Sequence, residues 1–381
     1  MDLSFTPEQL ALRAEIVRFA RSELGTDLHA LEREQRLSEE GWKKCAAMGI
    51  HGLPFPSAYG GSDADIVTTM LAMEALGYGC RDAGLIFAIN AQMWAVQMPI
   101  HEFGTEAQKA KYLPGLIAGD LIGAHGMSEP GSGSDSSALA TTAEKRGDRW
   151  ILNGTKTFVT NAPVADVFVV FATTNPKIGF MGVTGFVIEK GAPGLRLSQP
   201  IEKMGLKTSP MSEVILEDCE LPPDALLGRE GGGANVFKSS MAWERGCLLA
   251  SYIGAMERQL ETCVEYAKTR RQFNRPIGKF QSVANKLVDM KVRMESSRLL
   301  LYKVGWLKNT GADAVMDAAI AKLYLSEAWV QSCLDAIQIH GGYGYMTEFE
   351  LERDLRDAIG GRLYSGTSEI QRNVIAAQLG L

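Results

Sequence analysis

The apolar pattern of this chain changes period twice, and that constrains the fold more than any single residue does. From Thr6 to about Gly119 apolar residues recur at three- and four-residue steps, as Ala11, Ala14, Ile16, Val17 and Ala20 do. That is the period of helices buried on one face. Thr6 and Pro7 supply a cap and a first turn, and "PFPSAYGG" (Pro54 to Gly61) parts one helix from the next. Between about Leu121 and Gly228 the texture becomes short β-rich runs: "RWILNG", "KTFVTNA", "DVFVVFATT", "TGFVIEK" and "SEVILEDCEL". Gly, Pro and Asn separate them at the spacing of an antiparallel sheet or barrel. After "GREGGGANVF" the helical period returns, with segments near 234–270, 281–308, 312–339 and 366–379 that predict a bundle. The expectation is three domains: helical over 1–120, antiparallel β over 121–228, and a C-terminal four-helix bundle over 229–381.

At 381 residues and 46% hydrophobic content, each of these can bury a core. The net charge is −6 and no run of Lys or Arg stands apart from neighbouring acids, which excludes the electrostatic footprint of a nucleic-acid binder. The opening "MDLSFTPEQLALRAEI", with Asp2 and Glu8 among scattered apolar residues, lacks the basic start and apolar core of a secretion signal. No stretch approaches about 18 uninterrupted apolar residues, so no membrane span is expected. Cys45, Cys80, Cys219, Cys247, Cys263 and Cys333 are widely spaced, without a Cys-x-x-Cys pair or zinc spacing. They read as reduced thiols, small buried hydrophobes of a cytoplasmic protein. His29, His51, His101, His125 and His340 form no cluster with acids at metal spacing, so no metal site is expected.

No Gly-x-Gly-x-x-Gly follows an early strand, so a βαβ dinucleotide fold has no fingerprint here. "GSGSDS" (Gly131 to Ser136) lacks the last Gly and any preceding βα unit. "GREGGGAN" lacks the Lys-Ser/Thr of a phosphate loop and reads as a hinge into the bundle. "SEPGSGSD" (Ser128 to Asp135) concentrates small residues, hydroxyls and backbone N–H groups, and would let a planar ring or a thioester approach the backbone. An ordinary Gly/Ser turn accounts for the same residues equally well.

"GMSEPGSGSD", "ILNGTKTFVTNA", "TRRQFNRPIGKFQSV", "AIQIHGGYGY" and "LYSGTSEIQR" together resemble the signature segments of the acyl-CoA dehydrogenase family, in its order and spacing and over essentially the whole chain. The resemblance implies FAD bound extended between the domains and across a subunit interface, with a homotetramer as the family norm. Carried onto this chain, Met127, Ser128 and Ser134 would lie at the flavin, with Ser128 at its O2/N5 edge, and Thr160 would contact N5. Phe158 stands where many relatives carry a Trp against the ring. Arg270, Gln272, Phe273 and Gln281 would hold the diphosphate and adenosine of the neighbouring subunit's FAD. Gln338, Gly341 and Gly342 would line the diphosphate path, with His340 nearby, and Thr367 with Glu369 would hold the nucleotide of the chain's own FAD.

Many members of the family carry Glu as the base just before "GT" in the last motif. Here that position is Ser365, whose hydroxyl cannot take an α-proton without a base of its own. In "SSMAWERGCLLAS", Glu244 projects from an apolar stripe shared with Phe237, Met241 and Leu248. A lone acid facing an interior has its pKa raised, which suits a general base. The residues alone leave this open against a simple pairing of Glu244 with Arg245 or another cation. The resemblance points to Glu244: isovaleryl- and long-chain-type members are similar in placing the base on this helix, one residue before Arg, and in lacking the terminal Glu.

The reaction implied is α,β-desaturation of an acyl thioester in a pocket lined by Ser365, Tyr364, Arg245 and Ser134. The Ser365 backbone N–H and the flavin ribityl 2′-hydroxyl would polarise the thioester carbonyl. The chain is also similar to the prolyl-carrier-protein dehydrogenases and oxidases of pyrrole and anatoxin-type biosynthesis, in its length, its Glu244–Arg245 pair and its Ser365. That makes a prolyl group on a carrier protein's phosphopantetheine arm the favoured substrate, and a branched short-chain acyl-CoA such as isovaleryl-CoA the alternative. An electron-transfer flavoprotein or oxygen would re-oxidise the flavin. A non-catalytic flavin- or acyl-binding scaffold is the reading from another class. A hydrolase has no Gly-x-Ser-x-Gly elbow to support it.

Overall fold

The computed structural model describes residues 4–25 and 27–381; Asp2 of the opening segment lies outside them. The first domain consists of α1 (Pro7–Glu23), α2 (Leu28–Glu34), α3 (Glu39–Ala47), α4 (Ile66–Gly79), α5 (Ala83–Gln92), α6 (Met98–Phe103) and α7 (Glu106–Ile117). Thr6 caps α1 as expected: its hydroxyl accepts from Gln9 N–H, the Gln9 side chain accepts from Thr6 N–H, and Pro7 opens the helix. A π-helical turn, Met93–Gln97, joins α5 to α6. The resulting rod, Ala83–Phe103, is long and apolar enough to cross a membrane by length and composition, but 89% of that window is buried inside the fold. It is the central helix of the main core, carrying Leu85, Ile86, Ile89, Met93, Trp94 and Val96.

The strand domain contains β1 (Gly123–Gly126), β2 (Thr142–Arg146), β3 (Arg149–Thr160), β4 (Val167–Thr173), β5 (Val183–Glu189), β6 (Leu195–Leu197), β7 (Met211–Leu221) and β8 (Leu226–Leu227). They form one sheet in the order β6-β7-β3-β2-β4-β5-β8, with β1 paired to β4. The sheet is mixed and not antiparallel throughout, because β1 and β2 both meet β4 in parallel. The connections that follow β1 and β2 are long enough to return the chain in the same direction, which a tight hairpin cannot do. "RWILNG" and "KTFVTNA" are a single strand, β3, carried through Gly154 by irregular pairing with β7. One face of the sheet packs its own core around Trp150, Leu152, Phe168, Phe186 and Val214. The other gives Val167, Val169, Phe171 and Val187 to the helical core. Strand β4 is therefore buried on both faces, which is why it reads as a continuous apolar run.

The last part holds α8 (Gly233–Trp243), α9 (Ala250–Thr269), the hairpin β9 (Arg271–Gln272) and β10 (Arg275–Pro276), α10 (Gln281–Asn309), α11 (Val315–His340), α12 (Leu351–Gly360) and α13 (Ser368–Gln378). Helices α9, α10 and α11 pack side by side, and α4 of the first domain lies along α9. That crossing is close: a Cβ on Gly77 would sit 1.9 Å from Ser251 O, and one on Gly254 would sit 1.9 Å from Glu74 O. Two corrections follow for this region. The expected helix over 234–270 is two helices around a second π-helical turn, Glu244–Leu248. Helix α12 was not anticipated, although Leu351, Leu355, Ala358 and Ile359 recur at helical steps, with Arg353 and Asp357 buried beside them.

Candidate active site

Glu244 opens the π turn between α8 and α9, and the other π turn, Met93–Gln97, packs against it. Such turns insert one residue into a helix and concentrate at functional sites. Glu244 is 8% exposed. Burial pushes its carboxyl up to about 7, against the Ser365 hydrogen bond and the Arg245 charge, which both pull it down. The Ser365 hydroxyl donates to the Glu244 carboxylate. Arg245 does not close on Glu244; its Nε donates to the Ser365 carbonyl at 3.2 Å. The simple ion-pair alternative is therefore not the arrangement found. Trp243, one residue earlier, stacks on Trp94 at 5.8 Å with Lys308 Nζ 3.7 Å over its ring, which holds the turn in place.

The segment from Tyr364 to Thr367 brings the other pocket residues to Glu244. Tyr364 packs against Phe87 at 4.6 Å between ring centroids, and its hydroxyl lies 2.7 Å from that of Tyr252. Ser365 has φ of 52° and Gly366 of 87°, both left-handed. Lys322 Nζ donates to Gly366 O at 2.7 Å, and Gln371 Nε2 donates to Ser365 O at 3.2 Å and Gly366 O at 2.8 Å. Lys322 and Gln371 are both fully buried. Sequence reasoning missed both; the one signal available was a lone Lys in the apolar run "AAIAKLYL".

The loop after β1 is held by an ion pair that sequence reasoning also missed. Lys156 Nζ lies 2.6 Å from Glu129 Oε1, with side-chain exposures of 0% and 4%. Glu129 also accepts from Ala140 N at 2.6 Å and Thr141 N at 3.0 Å, while Lys156 reaches Met127 O at 3.3 Å. Burial lowers Lys156 to about 8; for Glu129, burial raises the carboxyl but the Lys156 charge and the hydrogen bonds hold it below its usual range. Thr157 N donates to Ser128 O at 2.9 Å. The pairing of β3 with β7 slips between Lys156 and Val159, and there Phe158 takes φ of 55° and stands 65% exposed. Thr160 follows two residues on and is half-buried. Ser128, Phe158 and Thr160 thus lie near the same end of β3. Met127 is buried in the main core, and Ser134 is exposed on the outer part of the loop.

A second feature gathers residues from α9, the hairpin and α11. Arg270, Gln272, Gly341 and Gly342 line one open cleft of about 430 Å³ with His340, Tyr343 and Met346. The Arg270 guanidinium lies 5.4 Å from the Tyr343 ring, and His340 stacks on Tyr266 at 4.0 Å. A Cβ on Gly341 or Gly342 would meet nothing within 4 Å. Phe273, at the hairpin tip, is 86% exposed, and Gln281 and Gln338 are exposed at the start of α10 and near the end of α11. Thr367 and Glu369 stand apart from this cleft, at the start of α13: the Thr367 hydroxyl accepts from Ile370 N at 3.3 Å, and Glu369 is exposed in the first turn.

A helical domain, a mixed sheet and a helical bundle, with a buried carboxylate at a π turn, define a flavoprotein dehydrogenase architecture. The chain belongs to the acyl-CoA dehydrogenase family. Models of that family's N-terminal, middle and C-terminal domains match residues 6–120, 124–219 and 231–380. The chain is 44% identical over 381 residues to the L-prolyl-[peptidyl-carrier protein] dehydrogenase of Serratia sp., covering all of this chain and 99% of that one. Among solved structures it is similar to the prolyl acyl carrier protein oxidase AnaB, at 52% identity and a TM-score of 0.97, over 99% of this chain and 100% of AnaB. It is likewise similar to PigA with FAD and proline, at 44% identity and a TM-score of 0.97, over the full length of both chains.

Proposed function

We propose that this chain is an FAD-dependent dehydrogenase that converts a prolyl group, carried as a thioester on a carrier protein, to a pyrroline-type thioester. The observation that carries the reading is the Glu244 carboxylate, buried, raised to about 7 and hydrogen-bonded by Ser365. A carboxylate with that affinity for protons is matched to removing the α-proton of a thioester near neutral pH. The identity to the Serratia enzyme, AnaB and PigA supports the prolyl and carrier-protein parts.

The residues present fit FAD. The exposed Phe158 offers a face to a planar ring, and the glycine-walled cleft with Arg270 offers room and charge for a diphosphate. Phe273 and Gln281, exposed beside that cleft, suit contacts with the cofactor of a second copy, which supports the homotetramer expected of the family. Bound FAD supplies the acceptor for the hydride equivalent that leaves Cβ.

The chain's own residues do the rest. Glu244 takes the α-proton, so the substrate loses two hydrogens as one proton and one hydride equivalent. Among the described residues the Ser365 N–H makes no main-chain hydrogen bond, which leaves it able to donate to the thioester carbonyl as enolate charge develops there. A single donor of that kind is worth about 3 kcal/mol in comparable sites. Tyr364 against Phe87 closes the pocket behind the base, which suits a compact acyl group. The phosphopantetheine arm would enter with the carrier protein, and an electron-transfer flavoprotein or oxygen would serve as the final electron acceptor. Six buried, unpaired cysteines suit a reducing cytoplasm.

The test offers FAD-loaded enzyme a prolyl-carrier protein and isovaleryl-CoA side by side under anaerobic conditions. Bleaching of the flavin with loss of two mass units from the prolyl thioester is expected. Turnover of the CoA ester alone overturns the substrate, and bleaching with neither overturns the reading.

A further inference from the structure

Three side-chain donors, the half-buried Arg245 and the fully buried Lys322 and Gln371, converge on two successive backbone carbonyls beside Glu244, and the reaction as described so far gives them no task. Ser365 O accepts from Arg245 Nε at 3.2 Å and from Gln371 Nε2 at 3.2 Å. Gly366 O accepts from Lys322 Nζ at 2.7 Å and from the same Gln371 nitrogen at 2.8 Å. A fully buried Lys whose charge ends on a carbonyl is costly, so the arrangement calls for an explanation beyond packing. We propose that Arg245, Lys322 and Gln371 form a clamp that positions the Ser365–Gly366 turn so that its N–H groups face the thioester carbonyl while Ser365 Oγ faces Glu244. The proposal rests on the function reading above.

The geometry follows from the peptide planes. No peptide bond in the described chain is cis, so the Gly366 N–H points opposite the Ser365 carbonyl and the Thr367 N–H opposite the Gly366 carbonyl. Tying both carbonyls to one side turns both N–H groups to the other. It also sets the direction of the Ser365 N–H, which neither makes a main-chain hydrogen bond nor can rotate while φ stays at 52°. That left-handed conformation is unfavourable for a residue with a Cβ and persists only where its surroundings over-determine it. Here four hydrogen bonds from three side chains do so. Gly366 has no slack either: a Cβ there would lie 2.8 Å from Gln371 Nε2 and 3.4 Å from an Arg245 nitrogen. The clamp thus couples the base to the carbonyl donor, because Ser365 bonds Glu244 through its side chain and carries the donor on its backbone.

Lys322 and Gln371 are positioning residues, and two variants test the role: Lys322→Met and Gln371→Met. Each is loaded with FAD, checked for cofactor content and thermal midpoint, and reduced anaerobically over a range of prolyl-carrier protein concentrations. The expected result is a limiting rate of flavin reduction lowered roughly 10- to 100-fold, substrate affinity within about twofold of the parent, and faster hydrogen exchange confined to the peptide spanning 362–371. Gln371→Met carries no charge change, so it decides the matter if Lys322→Met fails to take up FAD. Parental limiting rates in a folded, loaded variant overturn the clamp, and so does a loss that falls wholly in substrate affinity. A parent that bleaches with no thioester overturns the function reading itself, which the variants' rates relative to an active parent do not touch.

Discussion

The hydroxyl of Ser365 donates to the carboxylate of Glu244 across 121 residues of sequence. The position that carries the base in many relatives therefore still touches it here, as a donor to a carboxylate supplied by another helix. That bond stabilises the charged form of Glu244, while burial and the scarcity of other donors favour the neutral form.

The rate of flavin reduction at saturating substrate is expected to rise with pH through about 7, because only the ionised carboxylate can accept the α-proton. In Ser365→Ala the bond that favours ionisation is gone, so the same limb moves to higher pH. Stopped-flow reduction between pH 5.5 and 9 measures both; an unmoved or acid-shifted limb in the variant contradicts the role given to the hydroxyl.

Glu244→Gln is expected to abolish flavin reduction while stabilising the fold at alkaline pH. A carboxyl raised from 4.5 to about 7 on folding contributes stability below pH 4.5 that is lost as pH rises through about 7. The amide has no such loss. The difference between variant and parent should be small near pH 4.5 and grow to as much as about 3 kcal/mol by pH 8. Thermal midpoints across that range check it, and a variant less stable than the parent at pH 8 contradicts it.

Lys156→Met leaves Glu129 buried without its cation, a loss of about 3–5 kcal/mol. Both the thermal midpoint and FAD retention should fall, because the loop that carries Ser128 is fixed by this pair. Adding Glu129→Leu should recover only part of the stability, since Ala140 and Thr141 N–H lose their acceptor. Full recovery in the double variant would show that the two backbone bonds contribute nothing.

Arg270→Ala is expected to weaken FAD binding by roughly 10- to 100-fold, the worth of a charge-assisted hydrogen bond to phosphate. Titration of the apoprotein with FAD measures it. Unchanged affinity would remove the cleft walled by Gly341 and Gly342 from the cofactor path.

Much of this was legible in the sequence, for reasons that separate cleanly. The three-part layout followed from apolar period, which tertiary packing preserved in α1, α10 and α11. Glu244 and Ser365 stood out because each breaks a pattern, an acid on an apolar stripe and a hydroxyl where a base is usual. Helix α12 carries the helical period in Leu351, Leu355, Ala358 and Ile359, but it is only 10 residues long and crowded with charges, two of which, Arg353 and Asp357, also face inward. Strands β1 and β2 stayed hidden because "GAHG" and "TAEKR" have little strand propensity and are held by neighbours distant in sequence. The Glu129–Lys156 pair and Gln371 became recognisable only when folding buried them, and Lys322 carried only the weak mark of a lone Lys in an apolar run.

The two π turns have a consequence for how this segment can vary. Each holds one residue more than an α-helical turn would, and the pair pack against one another at the base. Inserting a further residue into either would exceed what the widened turn already absorbs and rotate everything on one side by about 100°, carrying Glu244 or its apolar backing off the pocket. The stretch from Trp243 to Leu249 should accordingly tolerate no further inserted residue.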